Sequence, residues 1–239
     1  KYFSGQHHLL EACPNSPVDC LYFVDTTNEP TTDDINKLTN EIIQNEKGYP
    51  YAIIGIGGGS TMDVAKAVSL MLTNVGKSAD YQGWDLVNMP GIFKVGVPTI
   101  SGSGSESSRT AVLMGSGKKF GINSDFSMFD SILLDSMLTE SVPNEQRFYT
   151  GMDCFIHCVE SLEGTMINDL SKSYASKALE LCRRSFLEDY NKNEIEILGS
   201  RTTSELVVRN LLNSSYKNNL FLFNTNKKNL SGYNKILGF

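Results

Sequence analysis

A short apolar segment that runs directly into three glycines constrains the fold of this chain more than any other feature. Residues 50–56 form an apolar run typical of a buried parallel strand. Gly57, Gly58 and Gly59 end that run, and residues 62–72 then predict a helix. A strand, a glycine-rich turn and a helix in this order favour an α/β unit built on a parallel sheet.

The glycine turn (residues 57–61) is a candidate phosphate-binding site. Its three glycines let a ligand approach the backbone closely, and the N–H groups and dipole of the following helix favour a phosphate or pyrophosphate. Ser60 and Thr61 add two hydroxyl donors. The alternative is that the glycines serve only a tight turn between strand and helix.

The rest of the chain continues the alternation and then changes character. Residues 21–25 and 93–97 are predicted as strands, and residues 32–43 as a helix behind a polar N-cap. Strand signals fade after residue 137, and residues 143–187 are predicted to be helical. The expected fold is therefore α/β, with a Rossmann-like N-terminal domain on a parallel sheet followed by an all-helical, shortened C-terminal domain.

The simplest domain division places an α/β nucleotide-binding domain at 1–140 and a helical metal-binding domain at 141–239. Within the second domain, residues 191–239 are atypical, because they are rich in Asn and have no clean period of a helix or strand. Two explanations remain open: a solvated, partly disordered tail, or a sequence altered by a frameshift.

Asp25 ends the first predicted strand and is a candidate ribose ligand. A carboxylate there accepts hydrogen bonds from ribose hydroxyls and repels a 2′-phosphate, which favours NAD(H) over NADP. The alternative is an N-cap or turn residue, since Thr, Asn and Pro surround it.

The serine loop (residues 99–108) follows the predicted strand at 93–97 and is rich in Ser and Gly. Because the carboxyl ends of parallel strands meet at one sheet edge, this loop is expected to close over the phosphate and nicotinamide of a cofactor. Taken without its context, the same composition is also typical of a linker.

Asp153 and His157 are four residues apart on a predicted helix, so their side chains share one face. A carboxylate and an imidazole are half of a tetrahedral site for a divalent metal, zinc or iron. The other two histidines, His7 and His8, lie about 150 residues upstream. The sequence therefore predicts a metal site and supplies two of its ligands.

Composition narrows the class of protein. A net charge of −6 and a pI near 5.1 argue against nucleic acid as a partner. No apolar run reaches the roughly 18 residues that span a bilayer, and no signal-peptide pattern is present. Five cysteines, an odd number, favour a reducing, cytoplasmic location, with Cys154 and Cys158 interpreted chiefly as small packing residues.

Three motifs occur in order along the chain: Gly-Gly-Gly-Ser at 57–60, Pro-Thr-Ile-Ser-Gly-Ser-Gly-Ser-Glu at 98–106, and Gly-Met-Asp-Cys-Phe-Ile-His-Cys-Val-Glu at 151–160. Together they resemble the iron-containing (group III) alcohol dehydrogenase family. That family is related in fold to dehydroquinate synthase and glycerol dehydrogenase, so the resemblance implies a dehydroquinate synthase-like fold. The similarity covers roughly residues 20–187.

Further runs at 24–30, 81–85 and 121–125 are most similar to the 3-deoxy-D-manno-octulosonate (Kdo) 8-oxidase branch of that family. The resemblance implies oxidation of a primary alcohol of a small sugar acid, the Kdo 8-hydroxyl, to an aldehyde on a lipopolysaccharide-sugar route. It leaves a nicotinamide cofactor or dioxygen as the acceptor. A homodimer is a further expectation.

The resemblance also assigns residues. Thr99 and Ser103 match hydroxyl residues on the nicotinamide side, and Lys118 or Lys119 matches a lysine near the cofactor. The remaining matches are Asp25 near the adenosine ribose, Gly57, Gly58, Gly59, Ser60 and Thr61 at the pyrophosphate, and Asp153 and His157 as catalytic metal ligands.

The family places two more histidine ligands downstream, whereas no histidine follows His157 here. Two hypotheses follow: an active metal-dependent oxidoreductase, or a catalytically inactive nucleotide-binding protein of the same family. A third, a synthase of the dehydroquinate synthase type, fits the motif at 151–160 less well.

Overall fold

A computed structural model describes residues 19–164, 167–183 and 220–223. In chain order its strands are β1 (Ala52–Gly57), β2 (Gly83–Trp84), β3 (Phe93–Pro98), β4 (Thr110–Gly115), β5 (Lys118–Asn123), β6 (Ser131–Asp135) and β7 (Leu220–Phe223). Its helices are α1 (Thr32–Ile43), α2 (Gly59–Met71), α3 (Asn144–Glu163) and α4 (Asp169–Arg183).

The main sheet is parallel and has the strand order β1-β3-β6-β7. Val95 on β3 lies opposite Ile54 on one side and Ser131 on the other. Helix α2 connects β1 towards β3 and packs on this sheet, as parallel neighbours require a crossover. The predicted α/β, Rossmann-like architecture is confirmed.

A smaller sheet with the order β2-β5-β4 lies against α2. Strands β4 and β5 form a hairpin whose turn residues, Ser116 and Gly117, have φ angles of 50° and 74°. Two successive positive φ values match the right-handed twist of the flanking strands. The N–H of Met114 on β4 donates to the carbonyl of Pro30 at 2.8 Å, which ties this sheet to the start of α1.

Helix α1 begins at a capping box, in which Thr31 accepts from the N–H of Asp34 and the Asp34 carboxylate accepts from the N–H of Thr31. Its apolar side packs on α2, which is buried along almost its whole length. The main core is formed by α1, α2, β4 and β5 and includes Ile35, Val64, Val68, Leu70, Leu113 and Ile122.

Residues 21–25 were predicted as a buried strand, and this prediction is wrong. Leu21 and Phe23 are 62% and 71% exposed. Only Tyr22 packs against the core, where its hydroxyl accepts a hydrogen bond from the side-chain amide of Asn45. A strand needs a partner ladder, and in the described part of the chain no strand pairs with this segment.

Helices α3 and α4 pack against each other, and among the described helices none is long and apolar enough to cross a membrane. Strand β7 pairs with β6 and was not predicted, since it lies inside the atypical segment 191–239. Residues 191–219 and 224–239 lie outside the described ranges, as do His7 and His8. The division at residue 140 stays a prediction.

Candidate functional site

The glycine turn leads from β1 into the N-terminus of α2, as predicted. Gly58 is the N-cap and provides no side-chain cap, and the first intrahelical bond runs from the N–H of Met62 to the carbonyl of Gly58. The N–H groups of residues 59–61 therefore have no acceptor within the helix. Such a helix start attracts an anion, because its N–H groups and dipole both favour negative charge.

The serine loop lies directly on the glycine turn. The N–H of Thr99 donates to the carbonyl of Gly57 at 2.8 Å. A Cβ placed at Gly59 would lie 2.9 Å from Ser103 Oγ and 3.1 Å from Ser103 Cβ, so any larger residue requires the Ser103 side chain to shift. The structure thus brings together Thr99, Ser103 and the glycine turn, as expected for two loops at the carboxyl ends of neighbouring parallel strands.

The same loop also contacts α3. Gly102 has a φ of +116°, a conformation that favours glycine, and a Cβ placed there would overlap the carbonyl of Thr150. Thr150 precedes Asp153 by about one helical turn. The serine loop therefore joins the N-terminal end of α2, the candidate phosphate site, to the helix that carries the candidate metal ligands.

The metal pair (Asp153 and His157) shares one face of α3, as predicted from the spacing. His157 Nε2 lies 3.8 Å from Asp153 Oδ1, and both side chains are about half exposed, at 55% and 49%. Oxygen and imidazole nitrogen at this separation can coordinate a single divalent cation from solvent. The two residues thus fit half of a zinc or iron site.

Asp25 occupies an exposed turn rather than the end of a strand. Its Oδ1 accepts hydrogen bonds from the N–H and the hydroxyl of Thr27, at 2.9 and 2.6 Å. This is the turn role that the sequence left open. Asp25 remains accessible to a ligand, and its contact with ribose stays a prediction.

Lys118 and Lys119 begin β5 and are exposed. Lys119 Nζ lies 2.7 Å from Glu29 Oε1, in the loop that also carries Asp25. The structure therefore associates Lys119 with the Asp25 side of the site, and its contact with a cofactor stays a prediction.

A third lysine, which the sequence analysis missed, is buried under the serine loop. The side chain of Lys66 on α2 has no solvent exposure. Its ammonium donates to Ser105 Oγ at 3.2 Å, to Ser108 Oγ at 3.1 Å and to the carbonyl of Thr110 at 2.8 Å. These three bonds use all three ammonium protons and fix the end of the serine loop to α2.

Lys66 belongs to a buried ion cluster (Asp63, Lys66 and Glu106). Lys66 Nζ lies 3.6 Å from Asp63 Oδ1, which accepts a 2.5 Å hydrogen bond from Ser105 Oγ. Burial lowers the pKa of Lys66 to about 8, while burial raises the pKa of Asp63 and of Glu106. The cluster thus positions the serine loop, and burying its charged groups costs electrostatic free energy.

The sequence contained a signal for this cluster. Asp63 and Lys66 are three residues apart, so they share one side of a helix that is otherwise apolar. Charged residues in a fully buried helix require partners, since an unpaired buried charge is costly.

Comparison with known proteins assigns the family. The sequence model of the family "Iron-containing alcohol dehydrogenase" matches residues 6–136, more than half of the chain. Sulfoacetaldehyde reductase of Bilophila wadsworthia is 32% identical over 188 residues, which cover 77% of this chain and 48% of that protein. Long-chain-alcohol dehydrogenase 1 of Geobacillus thermodenitrificans is 34% identical over 136 residues, 56% of this chain and 34% of that protein.

The fold agrees with these sequence matches. The crystal structure of sulfoacetaldehyde reductase from Bifidobacterium kashiwanohense in complex with NAD⁺ superimposes with a TM-score of 0.75 and 25% identity, covering 87% of this chain and 55% of that one. The sequence matches cover 48% and 34% of the two curated relatives named above, so this chain spans about half of their length or less. On the match over residues 6–136, the chain belongs to the iron-containing alcohol dehydrogenase family.

Proposed function

We propose that this chain provides the nucleotide-binding part and two metal ligands of an NAD(H)-dependent alcohol or aldehyde oxidoreductase. One observation carries the proposal: the serine loop contacts the glycine turn at Gly59 and α3 at Thr150. A cofactor bound at the start of α2 would therefore lie near the helix that bears the metal pair. Nucleotide and metal would meet at one place.

The cofactor fits the residues present. The pyrophosphate would accept hydrogen bonds from the N–H groups of residues 59–61, which have no acceptor within the helix. Thr99 and Ser103 would line the nicotinamide side. The exposed carboxylate of Asp25 favours NAD(H) over NADP, because it would repel a 2′-phosphate.

Asp153 and His157 would hold a divalent metal, zinc or iron. When bound there, the metal would supply Lewis-acid polarisation of a substrate oxygen, and the nicotinamide would supply the hydride acceptor or donor. Within the described residues these two side chains supply two of the three or four ligands such sites use. The metal pair by itself would therefore bind its cation weakly.

The finer proposal is a sugar-acid substrate, with the 8-hydroxyl of Kdo oxidised to an aldehyde by NAD⁺ or dioxygen. It is supported by the resemblance of the runs 81–85 and 121–125, which lie side by side on β2 and β5. Arg109 forms ion pairs with one acid from each run, Asp85 and Asp125. A cytoplasmic location and a homodimer complete this proposal.

The second candidate function is nucleotide binding without turnover. It is favoured by the histidine count, since His7, His8 and His157 are the only three histidines in the chain. The two functions predict the same affinity for NAD⁺ and differ in metal content and hydride transfer.

Metal analysis of the purified chain separates them. If the chain is an oxidoreductase, we expect bound zinc or iron, and a lower metal content in Asp153→Ala and in His157→Ala. We also expect NADH to form when NAD⁺ and a primary alcohol are added. The charge-matched control is Glu163→Gln, since Glu163 is also exposed on α3. If the chain binds NAD⁺ and its metal content is the same in Asp153→Ala, His157→Ala and Glu163→Gln, this result contradicts the assignment of the metal pair.

A further inference from the structure

Helices α3 and α4 meet at three thiols that the proposed function does not use. Cys154 and Cys158 are four residues apart on one side of α3, and Cys182 faces them from α4. All three are buried, and their Sγ atoms lie within 4.8 Å of one another. Cys182 Sγ lies 3.5 Å from Cys154 Sγ. We name this group the cysteine cluster.

We propose that the cysteine cluster binds a thiophilic divalent cation, Zn²⁺, as a structural site that joins α3 to α4. Zinc–thiolate bonds of about 2.3 Å in tetrahedral geometry place neighbouring sulfurs roughly 3.8 Å apart. The observed separations of 3.5 Å and up to 4.8 Å lie within about one ångström of this spacing. Small side-chain rotations therefore suffice to form the site.

The surroundings select a soft cation. Ala178 is buried in the same cluster, and Phe155 and Leu179 pack against it. Three sulfur donors in apolar surroundings favour zinc over magnesium or calcium, which require oxygen ligands. On binding, the three thiols release three protons to solvent, and a water molecule completes four-coordination.

The cysteine cluster is distinct from the metal pair. Asp153 and His157 precede Cys154 and Cys158 by one residue each, so the two pairs are rotated by about 100° around α3. One side of the helix therefore presents exposed oxygen and nitrogen donors, and the adjacent side presents buried sulfur donors. The inference does not depend on the proposed oxidoreductase function.

Cobalt titration of the full chain tests the site. The chain is stripped of metal by a chelator under reducing conditions, and Co²⁺ is added as the probe. We expect near-ultraviolet sulfur-to-cobalt charge-transfer absorption that saturates at one equivalent and disappears on addition of Zn²⁺. The absorption is expected to be lost in Cys154→Ser and in Cys182→Ala, and retained in the control Asp153→Asn/His157→Gln.

A second measurement on the unmodified chain keeps the test independent of how the variants fold. X-ray absorption at the zinc edge, with one equivalent of Zn²⁺ bound, is expected to show three sulfur neighbours at about 2.3 Å. Coordination by nitrogen and oxygen alone would overturn the proposal. The proposal would also be overturned if the metal-free chain contained a Cys154–Cys182 disulfide and bound no cobalt after that disulfide was reduced.

Discussion

Gly102 lies against the carbonyl of Thr150, and this contact connects the serine loop to the helix of the metal pair. The positive φ of Gly102 turns the loop so that Thr99 bonds the glycine turn while the middle of the loop contacts α3. The candidate cofactor site and the metal pair, which lie far apart in sequence, are thereby connected through one short loop.

Gly102→Ala is expected to destabilise the chain by more than 2 kcal/mol, because the new Cβ combines a strained φ, worth about 1–3 kcal/mol, with an overlap at Thr150. Gly117→Ala is the matched control, since Gly117 also has a positive φ but faces open space. Urea unfolding of both variants isolates the contact. Equal losses in the two variants would mean that the loop does not depend on Thr150.

Gly59→Ala tests the contact between the glycine turn and the serine loop. The added Cβ would meet Ser103 Oγ at 2.9 Å, so we expect a loss of about 1–3 kcal/mol from overpacking. Ser103→Gly removes the obstructing atoms and is expected to restore part of that loss. A double-mutant cycle measures the coupling, expected between about 0.5 and 3 kcal/mol. Additive effects would place Ser103 away from Gly59.

Lys66→Met removes the cation of the buried ion cluster and leaves the carboxyl groups of Asp63 and Glu106 without it. Breaking a buried ion pair from one side costs about 3–5 kcal/mol, and that is the expected loss in the free energy of unfolding. Lys37→Met, at an exposed position on α1, is expected to change stability by less than about 0.5 kcal/mol. Similar losses in the free energy of unfolding for Lys66→Met and Lys37→Met would contradict the stabilising role of Lys66 in the buried ion cluster.

The contribution of Lys66 to the stability of the chain is expected to rise between pH 8 and 10.5. Burial lowers its pKa in the folded chain to about 8, against an ordinary value of 10.5. In this window the unfolded chain binds more protons, so the contribution of Lys66 to stability rises with pH by at most about 1.4 kcal/mol per unit. Denaturant titrations of both chains at several pH values should show the stability of the unmodified chain increasing relative to that of Lys66→Met across this window. Parallel pH profiles would refute the lowered pKa.

Features encoded by near neighbours were predictable from sequence. The glycine turn lies between β1 and the start of α2, because the apolar run, the three glycines and the helical segment are adjacent in the chain. The shared face of Asp153 and His157 follows from helical spacing alone. Each of these predictions needed only the local period and the properties of glycine.

Features that depend on distant partners were not predictable in the same way. Lys66 bonds Ser105, Ser108 and Thr110, which are 39 to 44 residues away. Residues 21–25 have the composition of a strand, but a strand forms only where another strand pairs with it. The contact of Gly102 with α3 is likewise a tertiary one, without a local sequence signal.

The proposed function requires the start of α2 to bind the pyrophosphate of NAD⁺. Calorimetric titration of NAD⁺ into the full chain tests it, with Gly58→Val as the variant. The backbone at Gly58, with φ −82° and ψ −171°, is extended and accepts a side chain, but the new Cβ would lie 3.1 Å from Ile100 Cγ2, so urea unfolding of Gly58→Val is measured beside its affinity. Gly164→Val, at an extended and exposed position after α3, is the control.

We expect one NAD⁺ to bind per chain in a saturable way. Its affinity should be unchanged in Gly164→Val and weakened at least tenfold in Gly58→Val, a loss of about 1.4 kcal/mol or more. Equal affinity of the unmodified chain and Gly58→Val for NAD⁺ would rule out a pyrophosphate site at the start of α2.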